Sequence, residues 1–334
     1  MKKFFLIILL SLITLLIFTL SIAFANTTDA AYYNNLGDEA YLSGDYDNAI
    51  KYYNQAVNFN PQEPSFWVNL AFAHEEKGEY DLAENYCKKA LNLNNQYEDA
   101  YTCLGFIYLD RGSLDKAEKT FFTATKLDMK DPRNYDGLAL IYEQKQDYQK
   151  AFNQIQRAVE LSRYQKDSYL NKAAWYLKNL GQLEKAVSYY EQSSRVNPNN
   201  PDIYNEIGII LNELGKYDSA IETFQLAIKL KPTEPYYYYN LGLAYYDKGS
   251  YQQAVNSLQK AVQNNAEDRE TYYYLGLSYE KTGNLNQAIN NLKKAIELDP
   301  KLADAYLALG DLYKKIGNYS LAESYYKKAE ECKK

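Results

Sequence analysis

The sequence predicts an all-α fold built from nine stacked helix–turn–helix repeats, and three observations lead to this prediction. Glycines and prolines recur with a 34-residue period, alanine occupies one repeat position in all nine repeats, and the apolar residues of each repeat form two stripes with helical spacing. A single unit of this kind cannot bury its apolar stripes alone, so stacked neighbours have to supply a continuous core.

The repeats follow one another along the chain after the N-terminal segment. One extra residue, Lys166, lies at the fourth junction, and the ninth repeat ends at Lys334. The repeats begin at Ala30, Pro64, Glu98, Pro132, Asp167, Pro201, Pro235, Arg269 and Ala303.

The first helix of each repeat is predicted from positions 4, 7, 8 and 11, whose apolar residues share one side of a helix. Position 15 is glycine in eight repeats, from Gly44 to Gly317, and Gln146 in the remaining one. Because glycine suits the left-handed residue that ends a helix, position 15 predicts the turn.

The second helix is predicted from a further apolar stripe at positions 17, 20, 21, 24, 27 and 28. Proline follows at position 32 or opens the next repeat at position 1, as Pro198 and Pro201 do. Small residues fill positions 8, 20 and 27, which predicts helices whose backbones approach closely.

This pattern resembles the tetratricopeptide repeat (TPR) family, and repeat 6, residues 201–234, shows the likeness well. Its residues on the family's signature positions are Tyr204, Ile207, Gly208, Gly215, Tyr217, Ala220, Phe224, Ala227 and Pro232. The resemblance implies a right-handed α-solenoid, a superhelix whose first helices line a concave groove. Repeats 4 and 5 depart most from the pattern, through Gln146 and the inserted Lys166, and we expect a local change in superhelical twist there.

The tyrosine-rich stretch of residues 234–249 places tyrosines on different sides of one predicted helix. Tyr238 and Tyr245 are at positions 4 and 11, so we predict them in the core, with Tyr237 at position 3 on a third face. Positions 2, 5, 9, 12 and 13 share another arc, which the resemblance places on the groove.

The candidate partner-binding residues lie on this groove arc. Four neighbouring tyrosines in repeats 7 and 8 are typical of an interface hot spot, and asparagines further along offer both a donor and an acceptor to an extended ligand. The alternative is that many of these side chains only pack between neighbouring first helices. The residues are Tyr236, Tyr239, Tyr246, Tyr273, Trp175, Asn171, Asn205, Asn212, Phe72 and Phe106.

The N-terminal segment predicts export. Lys2 and Lys3 precede an apolar stretch, and residues 23–25 read Ala-Phe-Ala, which fits the cleavage pattern of a signal peptide. We expect residues 1–25 to be removed and residues 26–334 to form the repeat domain in the periplasm or outside the cell. The apolar stretch is also long enough to stay uncleaved as a membrane anchor.

Other features of the sequence argue against catalysis and nucleic-acid binding. The single histidine, His74, stands where most repeats have tyrosine, which predicts a packing role, and no phosphate loop or metal-ligand spacing occurs. The formal net charge of −6, with acids and lysines interspersed, is unsuited to general nucleic-acid binding. We therefore predict no enzymatic activity, no cofactor, no metal and no nucleic-acid partner.

Cysteine occurs at three positions: Cys87, Cys103 and Cys332. Cys87 stands at a core position, and Cys103 is expected at a similar height on the next first helix. The sequence allows either a disulfide between Cys87 and Cys103 or two buried free thiols. Cys332 is expected to be free.

The function predicted from these features is a non-enzymatic interaction scaffold of the bacterial cell envelope that binds an extended peptide or a partner protein. One alternative is an accessory subunit of polysaccharide or cell-wall synthesis or export. The other is a structural surface protein that associates end to end through Tyr325 and Tyr326 in the last repeat.

Overall fold

The computed structural model describes residues 28–266 and 268–332, in which every regular element is a helix. The helices are α1 (28–42), α2 (Tyr46–Phe59), α3 (Pro64–Glu76), α4 (Tyr80–Leu93), α5 (Glu98–Asp110), α6 (Leu114–Leu127), α7 (Pro132–Gln144), α8 (Tyr148–Leu161), α9 (Asp167–Asn179), α10 (Leu183–Val196), α11 (Pro201–Glu213), α12 (Tyr217–Leu230), α13 (Pro235–Asp247), α14 (Tyr251–Gln263), α15 (Arg269–Lys281), α16 (Leu285–Leu298), α17 (Ala303–Lys315) and α18 (Tyr319–Cys332). The odd-numbered helices from α3 onward begin at the first residue of a 34-residue repeat, so each odd helix and the next even helix form one repeat.

The turn inside each pair is built on repeat position 15. Gly215 has a φ of +73°, and its N–H donates to the Asn212 carbonyl oxygen at 2.9 Å. The N–H of Lys216 then donates to the Leu211 carbonyl oxygen at 2.8 Å, which satisfies a second carbonyl at the helix end. Gln146 adopts the same left-handed conformation with a φ of +57°.

Two compact units divide the chain between Ser162 and Arg163. Unit 1 contains α1–α8 and unit 2 contains α9–α18. The segment between α8 and α9 includes two consecutive residues with positive φ, Arg163 at +53° and Tyr164 at +59°. The change of superhelical twist expected near this junction stays a prediction.

The helices of a pair approach closely at positions 8 and 24. A Cβ atom on Gly208 would lie 2.6 Å from Cε1 of Phe224, so this contact requires glycine. Ala220 and Ala227, at positions 20 and 27, are fully buried. The small residues therefore have the packing role that their spacing predicts.

The tyrosine run is arranged differently from the sequence prediction. Tyr237 is only 1% exposed, and its hydroxyl donates to Asp202 Oδ1 of α11 at 2.5 Å, whereas Tyr238 and Tyr245 are half-buried. The third-face prediction for Tyr237 was thus wrong, and the core prediction for Tyr238 and Tyr245 was too strong. The reason is that Tyr237, at position 3, packs against the first helix of the preceding repeat. The sequence analysis considered the faces of one repeat's helices and did not include this neighbouring helix.

Aromatic residues at position 4 reach the edge of the packed layer. The Tyr204 hydroxyl donates to the Pro198 carbonyl oxygen at 3.1 Å, and the Trp67 indole N–H donates to the Pro61 carbonyl oxygen at 2.8 Å. Their rings cover apolar neighbours while their polar ends bind the loop before the repeat. This arrangement explains why position 4 is only half-buried.

The three cysteines are free thiols in the structure. Cys87 and Cys103 are fully buried in one apolar cluster of unit 1, and burial raises the pKa of the Cys103 thiol well above its ordinary value, with the neighbouring Cys87 adding to the shift. Burial of this kind makes a thiol chemically inert.

No helix in the described part of the chain is both long enough and apolar enough to cross a membrane. The predicted signal peptide or anchor, residues 1–25, lies outside the described residues.

Candidate partner-binding surface

A group of tyrosines on α13 and α15, here called the tyrosine cluster, is the main candidate surface. Tyr274 is at its centre: its ring centroid lies 6.4 Å from Tyr239, 5.7 Å from Tyr246 and 5.3 Å from Tyr273. Tyr236 stacks on Tyr239 at 6.3 Å with an interplanar angle of 22°. The members of the cluster are Tyr236, Tyr239, Tyr246, Tyr273 and Tyr274.

A recurring contact between consecutive first helices brings these rings together. Position 5 of one repeat meets position 6 of the next, as in the hydrogen bond from Asn240 Nδ2 to Asn205 Oδ1 at 2.8 Å. In repeats 7 and 8 the same two positions are Tyr239 and Tyr274. The four predicted tyrosines therefore do converge, through a fifth that the sequence analysis missed. Tyr274 could have been found from its spacing, because it lies 35 residues after Tyr239, as Asn240 does after Asn205.

The cluster is partly packing and partly surface. Tyr239 and Tyr274 pack against the buried apolar group of Val255, Leu258 and Leu275. Tyr236, by contrast, is 50% exposed. Tyr239 and Tyr274 therefore have a packing role on one side, as the alternative interpretation predicts. Tyr236 is open to solvent.

A pocket of about 620 Å³ lies beside the stacked pair of Tyr236 and Tyr239. It is lined by Pro235, Tyr236, Tyr239, Asn265, Ala266, Asp268 and Glu270. The lining includes two aromatic rings and two carboxylates, so the pocket combines apolar area with negative charge.

The electrostatic environment of the cluster is acidic. Burial raises the pKa of Tyr273 to about 12, and the Asp304 carboxylate contributes to the shift. Burial also raises the pKa of Tyr239, with smaller contributions from nearby groups that include Asp268 and Glu270. The hydroxyl groups of Tyr239 and Tyr273 therefore stay protonated and can donate hydrogen bonds at physiological pH.

Of the three asparagines predicted along the groove, the structure contradicts the prediction for Asn205 only. Asn205 is 3% exposed and bonded to Asn240, so the prediction that its amide contacts a ligand is corrected: the amide links two neighbouring first helices instead. Asn212 is half-buried and donates to Asp247 Oδ2 at 2.7 Å. Asn171 is half-buried on α9 and stands apart from the cluster.

The three remaining candidates, Trp175, Phe72 and Phe106, are half-buried and lie outside the tyrosine cluster. Trp175 packs edge-on against Tyr176 at 5.4 Å, and Phe106 packs edge-on against the core residue Phe121 at 5.0 Å. Phe72 borders a separate pocket of about 520 Å³ in unit 1. This pocket is lined by Asp38, Tyr41, Leu42, Tyr53, Asn69, Phe72 and Arg133.

His74 has the surroundings of a packing residue. It is 7% exposed, its ring contacts Tyr86 at a centroid distance of 5.3 Å, and its Nδ1 lies 2.5 Å from Glu79 Oε2. The hydrogen bond from His74 lowers the pKa of the Glu79 carboxyl. These contacts connect the end of α3 to the start of α4.

One group of carboxylates in the described residues has the spacing of a metal site: Glu98, Asp99 and Asp131. The Arg133 guanidinium forms ion pairs with both Asp99 and Asp131. The side chain of Arg133 thus already supplies the positive charge that a metal ion would bring.

The last repeat was expected to leave Tyr325 and Tyr326 partly uncovered. Both are half-buried: Tyr325 stacks on Tyr313 at 5.4 Å, and the Tyr326 hydroxyl donates to Asp311 Oδ1 at 2.7 Å. Tyr319, at the start of α18, is the exposed aromatic residue there, at 66%.

Comparison with family profiles gives one consistent result. Profiles described as tetratricopeptide repeat match residues 167–200, 189–222 and 303–332, and a profile described as TPR repeat matches residues 208–249, 242–283 and 281–317. Residues 33–163 match the middle TPR-like domain of cilia and flagella-associated protein 70. A sequence search of curated proteins found no match.

Three solved structures are similar to parts of this chain. MamA from Desulfovibrio magneticus RS-1 is 26% identical, with a TM-score of 0.48, over 50% of this chain and 94% of that chain. PilF from Pseudomonas aeruginosa is 18% identical, with a TM-score of 0.50, over 61% of this chain and 92% of that one. A chain of the Cut9–Hcn1 hetero-tetramer of APC/C is also 18% identical, with a TM-score of 0.50, over 83% of this chain and 54% of that one.

Proposed function

Because the chain belongs to the tetratricopeptide repeat family, whose members are in general protein-interaction scaffolds and not enzymes, we propose that it binds an extended peptide or a partner protein through the tyrosine cluster. The observation that carries this proposal is the convergence of five tyrosines on two neighbouring first helices, with Tyr236 half exposed at the edge of a pocket.

The geometry suits a binding surface for two physical reasons. Each ring of the cluster contacts another ring, so little side-chain entropy is lost when a partner docks. Tyrosine also combines apolar area with a hydroxyl, and aromatic residues of this type dominate the energetics of many protein interfaces.

We place this scaffold outside the inner membrane of a bacterial cell envelope. The support is the basic N-terminus, the apolar stretch and the Ala-Phe-Ala sequence at residues 23–25. N-terminal sequencing of the native protein tests the placement, with Asn26 as the expected first residue. An intact N-terminus retained in the membrane fraction would indicate an anchor instead.

Affinity capture from an envelope extract tests the binding proposal. We expect Tyr236→Ala combined with Tyr246→Ala to reduce the yield of the captured partner at least tenfold, because Tyr236 is half exposed and Tyr246 is only partly buried. Tyr319→Ala is the matched control, since it removes an exposed tyrosine of unit 2 that is far along the chain from the cluster.

The same experiment separates the alternatives. Capture of a polysaccharide or cell-wall enzyme would identify an accessory subunit. Capture of the chain itself, lost in Tyr319→Ala and kept in the cluster variant, would support end-to-end association in place of the proposed surface. A partner whose capture is unaffected by the cluster variant would refute the assigned surface.

A further inference from the structure

We propose, as a step that rests on the proposed function, that the tyrosine cluster and its pocket recognise a cationic peptide segment, with lysine or arginine side chains seated against the tyrosine rings. The partner class is therefore a protein or peptide with a basic extended stretch. Two features of unit 2 lead to this inference: the arrangement of the rings and the charge around them.

The rings around Tyr274 are nearly perpendicular to it. Its interplanar angles are 67° with Tyr239, 74° with Tyr246 and 75° with Tyr273. In each of these edge-to-face pairs the edge of one ring covers a face of the other, and Tyr236, which is 50% exposed, is the ring most open to a ligand. The negative face of a phenol ring attracts an ammonium or guanidinium group within about 6 Å of its centroid.

Carboxylates surround this group of rings. Asp268 and Glu270 line the pocket, and the charges of Asp247 and Asp304 act on the Tyr274 hydroxyl. Carboxylates beside an aromatic surface favour cationic ligands and repel anionic ones.

These charges are only partly neutralised by the chain itself. Glu270 Oε1 lies 2.6 Å from Arg269 Nε, so this carboxylate has a partner. Asp247 accepts an amide hydrogen bond from Asn212, and Asp268 accepts from the backbone N–H of Thr271 at 2.7 Å. Across residues 28–266 and 268–332, neither Asp247 nor Asp268 forms an ion pair with a lysine or arginine.

Elsewhere in the chain, aromatic rings are covered by internal cations. Lys89 Nζ lies 4.3 Å from the Trp67 ring, and Lys166 Nζ lies 4.3 Å from the Tyr169 ring. Among the described residues, no lysine or arginine lies over a ring of the tyrosine cluster. The cluster thus offers aromatic faces and negative charge to a cation that the chain does not supply.

Titration calorimetry with two synthetic peptides tests the inference on the full exported chain. The probe is a twelve-residue peptide of alternating lysine and alanine, and its neutral counterpart carries an acetyl group on every lysine Nζ. We expect the acetylated peptide to bind at least tenfold more weakly at low ionic strength, because acetylation removes the cation.

Two charge variants with equal changes in net charge locate the interaction. Asp268→Asn with Glu270→Gln neutralises the pocket, and asparagine at position 268 still accepts the hydrogen bond that begins α15. We expect this variant to bind the lysine peptide at least fivefold more weakly. Glu184→Gln with Glu191→Gln, on α10, is the control and should leave the affinity within twofold of wild type, because both residues are exposed and lie on another repeat.

Three outcomes would each overturn the inference. They are equal affinity for the two peptides, an unchanged affinity of the pocket variant for the lysine peptide, and an equal loss of affinity in the control variant. The capture experiment distinguishes this failure from that of the proposed function. If partner capture still depends on Tyr236 and Tyr246 while the lysine peptide does not bind the pocket, the surface stands and its cationic specificity is wrong. If capture is independent of both tyrosines, the surface itself is wrong.

Discussion

At the scale of single residues, the turn at position 15 shows how one dihedral angle selects a residue type. Gly181 has a φ of +70°, and its N–H donates to the Lys178 carbonyl oxygen at 2.9 Å. Gln146 makes the equivalent bond to Glu143 at 2.8 Å, with a φ of +57°. The hydrogen bonds are the same, but the Cβ of glutamine is strained in this region of conformational space.

We therefore expect Gln146→Gly to stabilise unit 1. The left-handed conformation costs a residue with a Cβ about 1–2 kcal/mol, and glycine removes this cost. Part of the gain in stability is offset because glycine is more flexible in the unfolded chain. The net effect should be about 0.5–1 kcal/mol, measured as a higher Tm. Gly181→Gln should shift Tm in the opposite direction. A lower Tm for Gln146→Gly would show that the glutamine side chain contributes more than its strain costs.

A second residue-scale prediction concerns the carboxyl group of Glu75. Burial, followed by the charge of Asp110, raises its pKa from the ordinary 4.5 to about 8. A carboxyl whose folded pKa is raised contributes stability that is fully present below the unfolded pKa and is lost as the pH rises through the folded pKa. We expect the Tm of the wild-type protein to fall between pH 5 and pH 9 partly for this reason.

Glu75→Gln should reduce this slope and raise stability at pH 9 by roughly 2 kcal/mol, a value set below the full shift because the group is only partly buried. Thermal unfolding followed by circular dichroism at several pH values measures the slope. Asp115→Asn is the control, since its side chain is fully exposed. Parallel slopes for wild type and Glu75→Gln would contradict the prediction.

At the scale of helices, the structure contains one set of contacts within repeats and another between them. Contacts within a pair depend on residue types that recur every 34 residues, so turn glycines, small packing residues and helix starts were predictable from the sequence. Contacts between first helices connect residues 35 apart, such as Tyr41 to Glu76 at 3.0 Å and Asn34 to Asn69 at 2.9 Å. Aligning the repeats with a 34-residue period matches each position with the same position in the next repeat. Such an alignment does not show which different positions touch between neighbouring first helices.

The same distinction explains what the sequence analysis missed in the site. Tyr274 stands at position 6, which is not part of the predicted groove arc, yet it meets position 5 of the preceding repeat. Asn205 was expected in the groove, but its neighbour Asn240 covers it. The candidate surface could thus be located from the sequence, whereas its central ring and its buried amides depend on packing between repeats.

A test of helix packing uses the contact between Gly208 and Phe224. Gly208→Ala should destabilise unit 2 by about 1–3 kcal/mol, because the new Cβ would lie 2.6 Å from the fully packed ring. Repeat 4 carries Ala139 and Ile155 at the same two positions, both fully buried. Adding Phe224→Ile should therefore recover at least about 1 kcal/mol relative to the sum of the single changes. Additive effects in denaturant unfolding would show that the two side chains do not compete for space.

At the scale of the whole molecule, the chain consists of two compact units, each with its own apolar core. Unit 1 has a cluster around Cys87 and Cys103, and unit 2 has clusters around Phe224, Leu258 and Leu292. Repeat arrays are stabilised by each unit and by its nearest neighbours, so a unit that contains several complete repeats meets the requirement for independent folding.

We accordingly expect a fragment starting at Arg163 and ending at Lys334 to fold and to retain binding. The five tyrosines and every residue lining the adjacent pocket belong to unit 2. The fragment should show a cooperative, helical unfolding transition, and its affinity for the captured partner should lie within about threefold of the full chain. The fragment ending at Ser162, prepared in the same way, should fold but bind at least tenfold more weakly. A folded 163–334 fragment without affinity would mean that the partner needs contacts from unit 1, and the tyrosine cluster would then be only part of the binding surface.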